Sequence, residues 1–138
     1  MLRGFALPYV DGLWPALQRV IARAPFRHMV TPGGQRMSVP LTNCGALGWT
    51  SDARGYRYSA HDALPAPFLQ LAREAAAAAG FAGFLPDACL VNRYTPGTRL
   101  SLHQDRNERD FSQPIVSVSL GIAAVFLWGG QKRAERAL

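Results

Sequence analysis

Cysteine is scarce in this chain of 138 residues, with only Cys44 and Cys89, far apart and without CxxC spacing. That excludes a disulfide framework and a zinc knuckle, and leaves both thiols as small core residues. Histidine is scarce too: there are three, at 28, 61 and 103, and none follows His103. Long apolar runs are missing. No stretch approaches the roughly 20 residues of a membrane span, and the apolar patch in MLRGFALPYV is too short for the core of a signal peptide. The sequence therefore predicts a soluble, cytoplasmic protein with no membrane partner. Acidic residues are in deficit, nine Asp and Glu against fifteen Lys and Arg, for a formal charge of +6. Most of the bases are arginine, which favours a polyanionic partner through phosphate pairing.

What is present suits one domain over residues 1–138, with 49% hydrophobic residues to supply a core. Asp11 is placed to cap a helix in which Leu13, Trp14, Leu17, Val20 and Ile21 recur at three and four, with Pro15 in its first turn. A second helix is predicted in PAPFLQLAREAAAAAG, where prolines lead in, alanines fill the body and Gly80 supplies the stop. Six short extended runs accompany them: RMSVPLTN, GYRYS, ACLVNRYT, RLSLHQD, PIVSVSLG and AAVFLWGG. Turn signals separate nearly all of them. The fold class is α+β: a mostly antiparallel sheet backed by helices, or a sheet rolled toward a barrel.

The chemistry gathers in SLHQDRNERD, residues 101–110. Residues two apart in a strand share a face, so His103 and Asp105 converge while Gln104 points away. An imidazole and a carboxylate are two legs of the 2-His-1-carboxylate triad that holds Fe(II) with an open face. The plain alternative is a surface ion pair on a solvated strand end. A hairpin through TPGT, residues 95–98, would pair Asn92 with Ser101 and Leu90 with His103, setting Leu90, Asn92 and Tyr94 on the metal face. That register depends on the turn, since a slip of one residue reverses the faces and Pro-Gly favours a type II turn over the hairpin types.

Taken together, MVTPGGQRMSVPLTNCGALGW, FLPDACLVNRYTPGTRLSLHQDRNE and PIVSVSLGIAAVFLWGG resemble the AlkB family of Fe(II)- and 2-oxoglutarate-dependent nucleic-acid dealkylases over nearly the whole chain. The resemblance implies a double-stranded β-helix, a jelly-roll barrel, here buttressed by two helices in the N-terminal half. It implies Fe(II) as metal and 2-oxoglutarate as co-substrate, with His103 and Asp105 as metal ligands and catalytic residues and Asn92 and Tyr94 as 2-oxoglutarate contacts. The implied reaction uses O₂ to hydroxylate the N-methyl group of N1-methyladenine or N3-methylcytosine, after which formaldehyde leaves. The implied partner is alkylated DNA, preferably single-stranded, with RNA left open, and the implied state is a monomer.

Substrate-side positions carried over are Trp49, Tyr56, Asn107 and Arg133. Trp49 has the flat face that suits a flipped cationic base, or else is a half-buried packing residue. Arg54, Arg57, Arg99 and Arg106 are candidate backbone contacts, each otherwise a solvated surface charge. Asn107 departs from the family's Asp and can donate as well as accept, which bears on base preference. The larger departure is the family's second histidine ligand and the arginines that clamp 2-oxoglutarate, which lie well downstream of HxD. Neither upstream His28 nor His61 is expected to replace that histidine. The expectation is therefore an incomplete barrel and little activity in this polypeptide, with a non-catalytic single-strand-binding remnant or a functionless gene fragment as alternatives.

Overall fold

The computed structural model describes residues 1–105, 108, 110–130, 132 and 135. A short 3-10 turn over Leu7–Tyr9 runs straight into α1, Val10–Arg23. The predicted cap at Asp11 is corrected: Tyr9 is the N-cap residue and no side chain caps the helix. The 3-10 turn supplies the entry, so Asp11 falls in the first turn, where its carboxylate still faces the positive end of the helix dipole. Pro15 consequently lies inside the helix rather than in its first turn, and the Asp11 carbonyl loses its intrahelical partner. Leu13, Ala16 and Val20 bury one stripe, while Trp14, counted with that stripe in the sequence, is exposed. The second helix, α2, spans Ala66–Ala78 as predicted, entered through Pro65 and ended before Gly80 at φ +93°. Leu71 and Ala76 are its buried positions, packed toward α1.

Among the described residues, four strands form two antiparallel pairs. The first pairs β1, Leu41–Cys44, with the last strand, Cys89–Asn92, here β4. The other is a hairpin of β2, Leu47–Asp52, and β3, Gly55–Ala60. The hairpin turns through Ala53 and Arg54, where Asp52 Oδ1 accepts the Arg54 N–H at 2.8 Å, an Asx turn. β2 was not among the predicted strands. Its sequence LGWTSD lacks a run of β-branched residues, and its place comes from what surrounds it. At Gly48 the His61 ring lies so close that a Cβ would meet its Cδ2 at 2.7 Å, so any larger residue would force His61 to move.

Every residue of β1 is buried, and it carries the centre of the core with Val39, Met29 and the helix stripes. The three buried polar residues each tie two parts of the chain together, as buried polar groups must. Thr42 Oγ1 donates to the Ala24 carbonyl at 2.5 Å, Ser51 Oγ to the Val30 carbonyl at 2.7 Å, and Asn43 bonds the Trp49 peptide.

The predicted barrel differs most downstream. The described residues contain no closed barrel, and no strand forms over RLSLHQD, PIVSVSLG or AAVFLWGG. RMSVPLTN and ACLVNRYT form strand only in part, over 41–43 and 89–92. The TPGT turn does form, with the Thr98 N–H donating to the Thr95 carbonyl at 3.0 Å and Gly97 at φ +87°. Its two arms do not pair as a hairpin, however. Positive φ at the third turn residue is the type II geometry, whose twist splays flanking strands. Asn92 pairs with Leu41 and Leu90 with Asn43, replacing the predicted Ser101 and His103.

Candidate metal and base site

His103 and Asp105 are brought together. The His103 Nδ1 hydrogen donates to the Ser101 carbonyl at 2.7 Å, which fixes the ring and leaves the Nε2 lone pair for a ligand. That Nε2 stands 3.8 Å from Asp105 Oδ1, and both side chains are more than half exposed, at 57% and 55%. A neutral imidazole nitrogen and a carboxylate oxygen facing one point suit Fe(II) in donor type. Solvent reaches the pair from outside. Among the described residues no set of three His, Cys, Asp or Glu side chains is placed to hold a metal. His28 is engaged elsewhere, its Nδ1 bonded to the Met37 carbonyl at 2.8 Å. His61 sits over Gly48 with its Nδ1 buried and unpartnered.

The aromatics expected on the substrate side are carried by the β2–β3 hairpin. In its register Trp49 pairs with Tyr58 and Ser51 with Tyr56, so Trp49, Tyr56 and Tyr58 share one face. Trp49 stacks on Tyr56 with centroids 5.5 Å apart and planes 17° apart. Trp49 is half-buried and Tyr56 is exposed, so this pair presents a flat aromatic surface at the edge of the fold.

Tyr58 is a residue the sequence reading missed, although the spacing of YRY already put it on the face of Tyr56. Its hydroxyl donates to Glu108 Oε1 at 2.9 Å. Burial, then the Glu108 bond and the charges of Glu108, Asp105 and Asp87, hold its phenol above the usual tyrosine range. Tyr58 thus stands opposite Trp49 and is bonded to Glu108, three residues beyond Asp105 in the chain. That bond ties the aromatic face to the segment that carries His103 and Asp105.

The 2-oxoglutarate candidates are placed differently from the prediction. Asn92 is held by β1 at the end of β4, and Tyr94 lies two residues beyond it, half exposed, its phenol raised by burial. The cross-strand alignment that would set them opposite Ser101 and His103 is not formed. The run leading to His103 is anchored instead by Ser38, whose hydroxyl donates to the Arg99 carbonyl at 3.1 Å. Of the candidate arginines, Arg57 is engaged within the hairpin by two bonds to the Asp52 carboxylate, at 2.8 and 2.7 Å, while Arg54 and Arg99 are exposed. Arg106, Asn107 and Arg133 lie outside the described residues.

The two cysteines, read separately in the sequence, are free and face each other across β1 and β4. The facing Cys89 thiol and burial raise the Cys44 thiol, and the same pairing lowers Cys89. No helix among the described residues is long and apolar enough to cross a membrane.

Residues 13–137 match the 2OG-Fe(II) oxygenase superfamily. Among curated proteins, the alpha-ketoglutarate-dependent dioxygenase AlkB of Salmonella typhimurium is 53% identical over 98% of this chain, and that of Escherichia coli 52% over the same share. The nucleic acid dioxygenase ALKBH1 of Mus musculus is 38% identical over 91% of this chain and 32% of its own length. The chain spans 66% of the length of the two bacterial relatives.

Proposed function

The chain belongs to the AlkB family within the 2OG-Fe(II) oxygenase superfamily, and from that premise we propose that its site serves oxidative demethylation of N-alkylated bases in DNA, preferably in single strands. The observation that carries the reading is the position of Tyr58, which stands opposite Trp49 and donates to Glu108, three residues beyond Asp105 in the chain. A base laid on Trp49 would therefore be presented to the metal pair. The catalytic fold proposed for the whole protein is the family's jelly roll.

In this reading His103 Nε2 and Asp105 Oδ1 hold Fe(II), and Asn92 and Tyr94 offer an amide and a phenol to 2-oxoglutarate. The bound metal and 2-oxoglutarate supply the oxidation by O₂ that removes the methyl group as formaldehyde. The chain's own residues then do the selecting. Trp49 and Tyr56 give a flipped, positively charged base a π surface, and methylation at the pairing edge makes that base less costly to extrude. Asn107 and Arg133 are proposed substrate contacts by position in the family pattern, and Arg54 and Arg99 offer charge to the phosphate backbone.

Two tests separate selection from turnover. A single-stranded oligonucleotide carrying N1-methyladenine should bind more tightly than its unmethylated twin and quench tryptophan fluorescence more strongly. Equal affinity and equal quenching would remove the base-stacking role of Trp49. With Fe(II) and 2-oxoglutarate added, the 138-residue polypeptide alone should release little succinate, because its sequence offers no histidine after His103. Turnover with stoichiometric Fe(II) would contradict that expectation. The net charge of +6 and the stacked Trp49–Tyr56 pair support a second reading, single-strand binding without catalysis, which predicts affinity indifferent to Fe(II), 2-oxoglutarate and methylation.

A further inference from the structure

Asn43 is 3% exposed, in a strand whose other members are core residues or a threonine bonded to backbone. An amide is expensive there unless its donors and acceptor are used. Both functions go to one place. Nδ2 donates to the Trp49 carbonyl at 2.9 Å and Oδ1 accepts the Trp49 N–H at 3.0 Å. The carboxamide thus copies one rung of a β-ladder, reaching from β1 to β2 where the two strands belong to different sheets. Strand alternation and the β1–β4 register put Asn43 on the same sheet face as Leu90 and Asn92.

We propose that Asn43 is a positioning residue that fixes the Trp49 backbone, and with it the base-stacking face, relative to the sheet that carries Asn92. Three features make the role specific to this residue. The bond is bidentate, so it sets the orientation of the Trp49 peptide as well as its distance. It is buried, so water does not replace it without cost. It also falls on the one β2 residue whose ring stacks on Tyr56, so a tilt of that peptide moves the stacked pair. Aspartate keeps the acceptor for the Trp49 N–H and loses the donor to its carbonyl; alanine loses both; serine is too short to span both groups.

The inference rests on the base-stacking reading of Trp49, and the experiment separates the two. In a background carrying Trp14→Phe and Trp128→Phe, Trp49 is the sole tryptophan, and its fluorescence anisotropy reports its freedom without any ligand. Asn43→Asp, Asn43→Ala and Asn43→Ser are compared with the parent for thermal unfolding, for this anisotropy, and for affinity toward single-stranded oligonucleotides with and without N1-methyladenine. The expected result is lower Trp49 anisotropy in all three variants, and a preference for the methylated strand reduced about tenfold. Mn(II) affinity at His103 and Asp105 should stay within about twofold of the parent in variants that still unfold cooperatively. If alanine and serine fail to fold, the nearly isosteric aspartate carries the test. Unchanged anisotropy and unchanged preference in a folded Asn43→Asp chain would overturn the proposal. A parent whose preference survives Trp49→Ala would instead overturn the stacking reading, leaving the anisotropy to judge Asn43 alone.

Discussion

At the scale of single residues, the proposed metal pair shows how far spacing alone carries. HxD puts two donors on one face if the chain is extended, and the structure sets His103 and Asp105 3.8 Å apart. What the spacing did not reveal is the Ser101 carbonyl that fixes the tautomer, because that bond depends on how the segment bends. Tyr58 was legible in principle from the alternation of YRY, but its partner Glu108 lies 50 residues away. Charge pairing near the hairpin leads to a pH prediction. The Arg57 guanidinium, with the Arg54 N–H, holds the Asp52 carboxyl well below the usual carboxylate range. A carboxyl whose pKa is lower folded than unfolded adds stability that is complete above its unfolded value near about 4 and is lost as pH falls toward the folded one. Asp52→Asn should therefore flatten the fall of Tm below about pH 4. A mutant curve parallel to the parent's through that range would show that the pair contributes nothing to acid sensitivity.

At the scale of elements, the helices were readable because their signals are local. Apolar residues at three and four, the alanine body and the prolines ahead of it act within a few residues. The strands were less so. PGT between two extended runs suggests a hairpin, yet the turn takes type II geometry and β4 finds its partner in β1, some 50 residues earlier. Burial decides this choice: every residue of β1 is enclosed, with its two polar side chains bonded to backbone, so its own peptide groups need a ladder partner more than those of the solvated run through His103. The consequence is measurable at Leu41, which is 1% exposed and lies opposite Asn92. Leu41→Ala should cost about 2–5 kcal/mol in a denaturant titration. A loss under about 1 kcal/mol would mean that β1 is not the centre of the core.

At the scale of the whole molecule, composition and charge describe a basic domain of the 2OG-Fe(II) oxygenase superfamily, whereas the barrel expected from the family is not closed among the described residues. The sequence carried family membership in motifs that need only matching letters. Barrel closure depends on pairing between distant strands, which no local pattern encodes. If the basic surface tracks a strand of DNA, Arg54→Ala and Arg99→Ala should each weaken binding alike for methylated and unmethylated oligonucleotides. Each should also lower the slope of log affinity against log salt by about 0.7. An effect confined to the methylated strand would assign these arginines to base recognition instead.

The central claim is that a metal held by His103 and Asp105 adjoins the face made by Trp49 and Tyr58. Paramagnetic broadening tests it most directly, with Mn(II) titrated into isotope-labelled chain while the tryptophan and tyrosine ring signals are followed. The account predicts that Trp49 and Tyr58 broaden first, that Trp14 on α1 is spared, and that His103→Ala or Asp105→Ala abolishes the effect. Broadening that persists in both variants, or that reaches Trp14 as early as Trp49, would contradict it.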